Sequence, residues 1–109
     1  MDEFKINIAN DFSTKPGARF RHLGEYSGEA FYEEHLLPKY KDAIATGQKL
    51  HIYLDGARSY PYSFLDESFG KLAREFGLET VKGNLIFHAT EKAWVIKYLH
   101  KEVWKDEEK

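Results

Sequence analysis

Two sets of residues have types and spacings that could do chemistry. His51 and Asp55 stand four apart on the alternating stretch Leu50-His-Ile-Tyr-Leu-Asp55, so both point to one face with Tyr53 between them. An imidazole beside a carboxylate is the minimum of a general base, although a strand histidine with no defined partner is more often structural. The second set surrounds a predicted helix start: Arg58, Tyr60 and Tyr62, then Ser63, Asp66, Glu67 and Phe69. Ser63 is a good N-cap, and Asp66 three residues on can reach back to the backbone N–H of the cap, as in a capping box. The residues alone leave two readings open. One is a recognition rim of Arg58, Tyr60, Tyr62 and Arg19 around the helix start; the other is a cap beside a loop whose tyrosines pack on the sheet edge.

Other chemistries lack their residues. The remaining histidines, His22, His35, His88 and His100, show no spacing of a metal motif, and the chain has no cysteine. Asp55-Gly-Ala-Arg58 lacks both the glycines and the lysine of a nucleotide cradle. No cofactor or metal is expected.

The elements that position these groups follow from periodicity. Leu50 to Asp55 predicts a central strand covered on each side, stopped by Asp55-Gly56. Tyr60-Pro61-Tyr62 stays extended until Ser63, and a helix with Leu65, Phe69, Leu72 and Phe76 on its buried face ends at Gly77. Upstream, Phe4, Ile6 and Ile8 predict an edge strand and Arg19 to Leu23 a short second strand. Ser27 is placed to cap a helix from Glu29 to Ala45 with Phe31, Leu37, Tyr40 and Ile44 buried, interrupted at Pro38. Downstream, Leu78 to Val81 reads as extended, Lys82-Gly-Asn84 as a turn and Leu85 to His88 as a last strand. Thr90 then caps a helix from Glu91 to Trp104, with Trp94 and Tyr98 four apart on its flank. The expected fold class is α/β, about four strands in a mixed sheet with three helices, in the order ββαβαβα.

At 109 residues the chain is expected to be one domain over 1–104, with 105–109 a solvated charged tail. The absence of cysteine, of a long apolar run and of a basic-then-apolar leader suits a cytoplasmic protein with no membrane partner. Net charge is −2, from 16 basic and 18 acidic residues mixed along the chain, so nucleic acid is not an expected partner. Aromatic residues make up 16%, too many for so small a core to absorb entirely, and surface tyrosine and tryptophan favour protein contacts.

The stretch Tyr53-Leu-Asp-Gly56 through Ser63-Phe-Leu-Asp-Glu-Ser-Phe-Gly70 resembles the strand, loop and helix start of the STAS domain. That domain is the module of anti-sigma factor antagonists and sulfate transporter tails. Phe12-Ser-Thr-Lys-Pro-Gly-Ala-Arg19, Gly24-Glu-Tyr-Ser-Gly-Glu29 and Pro38 resemble the small bacterial STAS-like proteins more closely, and the likeness runs from Ile6 to Gly77.

The resemblance implies a non-catalytic regulatory module that docks a protein partner, an ATPase or kinase of the anti-sigma or histidine-kinase type, through Arg58 to Gly70. It also implies regulation by phosphate at the helix start. Aligned with the Asp-Ser-Ser-Gly pattern of the family, Glu67 falls at the usual phosphoserine position, Ser68 follows it, and Ser63 is the other candidate. Two alternatives stand beside this reading: a small-ligand or enzymatic site at the strand ends near Asp55, and a stand-alone inhibitor of a larger complex. The edge from Phe4 to Ile8 leaves a homodimer open.

Overall fold

A computed structural model describes residues 4–105. Three strands, β1 (Phe4–Asn7), β2 (Leu50–Tyr53) and β3 (Leu85–His88), form one sheet in the order β1-β2-β3. Both pairings are parallel, with Ile6 opposite Ile52 and Ile52 opposite Phe87. β2 is therefore central and β1 is an edge, as their patterns predict. Parallel strands added in one direction by right-handed crossovers place both connections on the same side of the sheet. Burial follows from that: Ile6, Ile8, Leu50, Ile52, Leu54 and Leu85 are buried, whereas Lys5, Asn7, His51, Tyr53, Ile86 and His88 are half-buried or exposed. The expectation that β2 is covered on both faces holds for one face only.

The predicted second strand does not form. Arg21–Leu23 is a single 3-10 turn, and the backbone around it serves the next helix instead of a ladder. The Arg21 N–H donates to the Glu29 carboxylate at 2.9 Å, and the Glu29 N–H donates to the Arg19 carbonyl at 3.0 Å. Among the described residues the sheet is thus three-stranded and parallel, where four strands in a mixed sheet were expected.

Helix α1 (Gly28–Phe31) starts under the Ser27 side chain, which accepts the Ala30 N–H at 3.0 Å as its cap. It runs through a π-helical turn, Tyr32–Leu36, into α2 (Leu37–Ala45) without leaving helical dihedrals. The wide turn carries the Leu37 N–H to the Tyr32 carbonyl five residues back, so Pro38 falls where the ladder is already shifting. The extra residue also rotates the buried face. Phe31, Tyr32, Leu36, Tyr40 and Ala43 are buried, while Leu37 is half-buried and Ile44 is exposed, contrary to a uniform 3.6-residue period.

After β2, α3 (Tyr62–Leu65), the turn Asp66–Gly70 and α4 (Lys71–Phe76) make one continuous helix. Gly77, at φ 91°, ends it as predicted. The chain then forms α5 (Leu78–Asn84), not an extended segment and a turn. The Val81 N–H returns to the Gly77 carbonyl at 3.0 Å, and Leu78 and Val81 share a buried side at helical spacing. The last helix comprises α6 (Ala93–Tyr98) and the turn Leu99–Val103. Residues 106–109 of the predicted tail lie outside the described residues.

The core lies between the sheet and these helices. Phe31, Phe64 and Phe69 are fully buried, with ring centroids 5.5 and 5.9 Å from Phe31. Helix α1 approaches α3 so closely that a Cβ on Gly28 would lie 2.6 Å from the Phe64 carbonyl oxygen, and only glycine admits that contact. The Trp104 indole N–H donates to the Phe69 carbonyl at 3.0 Å and ties the last helix to the turn after α3. No helix among the described residues is long and apolar enough to cross a membrane.

Candidate functional site

The end of β2 fixes the site. The Asp55 carboxylate accepts the Thr90 N–H at 2.7 Å and the Lys92 N–H at 2.9 Å, so it caps the approach to α6, the place expected of Thr90. The Lys92 bond is the largest of the effects that hold this carboxyl below its ordinary pKa. His51 faces elsewhere. Its Nδ1 meets the His88 Nε2 at 2.8 Å, with ring centroids 5.1 Å apart and planes within 20°, so the two imidazoles lie edge to edge with one proton between them. Tyr53 stacks on His88 at 4.3 Å. The His–Asp pair that an enzymatic reading needs is not assembled. A cavity of about 360 Å³ opens instead on the uncovered sheet face, lined by Lys5, Asn7, Asn10, Asp11 and Tyr53.

Between Asp55 and α3 the loop alternates between core and solvent. Ala57 and Tyr60 are buried; Arg58 is exposed, its N–H donating to the Thr14 carbonyl at 2.8 Å. The Tyr60 hydroxyl donates to the Leu54 carbonyl at 2.6 Å, and burial pushes its pKa well above the usual tyrosine value. Tyr60 therefore braces the strand end and forms no part of a rim. Tyr62, two residues on, is 44% exposed.

The predicted capping box is not used. Pro61 is the N-cap, at φ −61° and ψ 151°, and the Leu65 N–H already closes on its carbonyl at 3.1 Å. The helix thus begins two residues earlier, and Ser63 becomes its second position, half-buried. Asp66 turns away from the cap to Arg19 at 2.6 Å and Arg74 at 3.0 Å. Burial pushes the Asp66 carboxyl upward, but the bonds from the two arginines outweigh it and hold the pKa below the ordinary value. Glu67 lies within 3.6 Å of Arg19 and 3.9 Å of Lys71. These side chains, 16% and 14% exposed, are spent on joining the loop at Arg19 to the helix.

Ser68 and Phe69 are buried. The Ser68 hydroxyl donates to the Phe64 carbonyl at 2.8 Å, within the helix and away from solvent, and Phe69 packs among core rings. Neither presents the accessible group expected of a modification or docking residue. Helical periodicity already marks Phe69 as core, whereas only tertiary packing decides Ser68.

What remains exposed at the helix start is joined by residues from the far end of the chain. Tyr62 meets Tyr98 at 6.4 Å, edge to face, and Tyr98 meets Trp94 at 6.2 Å in the same manner. Trp94 is 50% exposed. The four-residue spacing of Trp94 and Tyr98 is legible in the sequence; their meeting with Tyr62 has no local signal. Among the described residues no group of three or more His, Asp and Glu is placed to hold a metal ion.

A parallel sheet with helices to one side, entered through a loop and capped helix start after its central strand, defines an α/β domain of STAS-like class. The chain belongs to the family described as a STAS-like domain of unknown function (DUF4325), which matches residues 27–93, well over half of its length. That span contains β2, the loop and α3. No curated protein and no solved structure matches the chain.

Proposed function

We propose that this domain is a non-catalytic regulatory module that docks a partner protein through Arg58, Tyr62 and Ser63, with Tyr98 and Trp94 continuing the surface. The observation that carries the reading is the ring series Tyr62–Tyr98–Trp94, in which exposed Tyr62 and Trp94 meet across half-buried Tyr98 and join two helices. Exposed tryptophan and tyrosine bring large contact area at little entropic cost, and such residues dominate the energy of interfaces. In this reading the partner is an ATPase of the anti-sigma or histidine-kinase type, the kind that the resemblance to STAS antagonists implies. The rigid underside supports the same use: Asp66 held by Arg19 and Arg74, and Tyr60 held on Leu54, keep the helix start in place before any partner arrives.

Phosphate control, if this module uses it, falls on Ser63. Of the two serine candidates Ser68 is buried and Ser63 half-buried, and a phosphate on Ser63 would add a charge of about −1.5 to −2 beside the docking rings. Affinity capture of the intact chain from its native lysate, with and without ATP, tests the reading. A stoichiometric ATPase whose retention changes with ATP and falls in Tyr62→Ala supports it, and mass spectrometry of the peptide from Ser59 to Lys71 reports on Ser63. Retention of the same proteins by Tyr62→Ala and Trp94→Ala would place the interface elsewhere.

A further inference from the structure

We infer that the groove beside Trp94 takes an acidic segment of the partner protein, its carboxylates meeting Lys97 and Lys101 while an apolar side chain lies against Trp94 and Tyr98. This rests on the docking reading above and specifies the chemistry of the partner.

The last helix has two stripes. Val95, Leu99 and Val103 face the core. Trp94, Lys97, Tyr98, Lys101 and Glu102 line a groove of about 310 Å³ on the outside. Lys97 and Lys101 are exposed and stand one helical turn apart, a like-charge pair on one face. Neither forms an ion pair among the described residues, whereas Glu102 lies 3.8 Å from Lys105 and is partly neutralised by it. Among the described residues the groove therefore carries two ammonium groups without an ion-pair partner, against the one carboxylate of Glu102, beside two rings, on a chain whose net charge is −2.

Charge complementarity selects the occupant. A basic segment would face two like charges, and a second copy of this net-negative chain gains nothing from bulk charge. Carboxylates spaced one helical turn apart, roughly 6 Å along a helix axis, match the two lysines. Between them the rings offer an anchor for a leucine, phenylalanine or tryptophan, with the flanking charges setting partner choice and the association rate.

The test is selection from a displayed library of random twelve-residue peptides on the full chain, beside the Lys97→Glu/Lys101→Glu, Lys97→Gln/Lys101→Gln and Trp94→Ala variants. The wild type is expected to enrich Asp and Glu together with one large apolar residue. The glutamate pair should invert the preference to Lys and Arg, the glutamine pair should abolish the charge bias, and Trp94→Ala should lose the apolar residue. A selected peptide should bind several-fold more weakly when salt rises from about 50 to about 500 mM, as solvent-exposed charge pairs do. Trp94-dependent peptides with no acidic bias, or a bias unmoved by charge reversal, overturn the acidic assignment and leave docking standing. An absence of Trp94-dependent peptides overturns both. Self-association that the glutamate pair removes would replace the acidic partner by a second copy and overturn the inference.

Discussion

The rings of Tyr62 and Tyr98 meet edge to face, with centroids 6.4 Å apart and planes at 80°. This contact joins the first residue of the helix after the central strand to the last helix of the fold. Tyr62 is exposed and Tyr98 half-buried, so the pair lies at the rim of the core and, in the proposed reading, belongs to the docking face. Tyr62→Ala should therefore lose an aromatic pair worth about 0.5–1.5 kcal/mol and little else. Urea unfolding measures this; a loss above about 3 kcal/mol, the scale of a buried aromatic truncation, would make Tyr62 a core residue.

Tyr60 is the contrast. Its hydroxyl donates to the Leu54 carbonyl from a buried position, so Tyr60→Phe leaves that acceptor without its donor and should cost about 1–3 kcal/mol. Burial also raises the pKa of this phenol. Burial raises Tyr40 in the same way, so in an alkaline absorbance titration the wild type should keep both tyrosines un-ionised until the fold opens, and Tyr60→Phe should show one fewer in that late step.

Asp66 sets an acid dependence. Its folded-state pKa lies below the unfolded value, so the stability it contributes is fully present above about pH 4 and is lost as pH falls through the lower folded value. The gap in melting temperature between wild type and Asp66→Asn should be widest above about pH 5 and should narrow toward pH 2. A gap independent of pH would mean that Arg19 and Arg74 do not bind Asp66 as a carboxylate.

The two serines separate cleanly. Ser68 is fully buried with its hydroxyl bonded inside the helix, so Ser68→Glu places a carboxylate in the core and should collapse the cooperative thermal transition. Ser63→Glu, at a half-buried position in the first turn, should unfold near the wild-type temperature. Equal damage from both would contradict the partial exposure of Ser63 in the first turn.

The parts of this fold that were legible in the sequence are those in which local pattern and tertiary role coincide. The alternation at Leu50 to Tyr53 marks β2, the Ser27 cap marks the start of α1, and Gly77 ends α4. The pattern misleads where a distant group decides. Arg19 to Leu23 alternates like a strand, but its backbone is claimed by Glu29 and the Arg19 side chain by Asp66. Ser63 and Asp66 have the spacing of a capping box, but Pro61 starts the helix and two arginines take the acid. The extra residue in the turn Tyr32–Leu36 shifts a helical face that a constant period places elsewhere.

The same division runs through the site. Arg58 in the loop and Tyr62 at the helix start are exposed, whereas Tyr60, equally aromatic and two residues before Tyr62, is core. Composition cannot separate them, because exposure depends on which way the chain turns at Pro61. Asp55 has the type and position of a ligand group at a strand end, yet its carboxylate is filled by the N–H groups of Thr90 and Lys92 from 35 and 37 residues away.

The most direct measurement is the affinity, by titration calorimetry, of the proposed ATPase partner, once captured, for the wild type and for Tyr62→Ala/Trp94→Ala. The account predicts that the double substitution weakens binding by roughly thirtyfold or more, the scale of a hot-spot pair, while the unfolding transition stays close to that of the wild type. An affinity unchanged by removal of both rings would contradict docking at this surface.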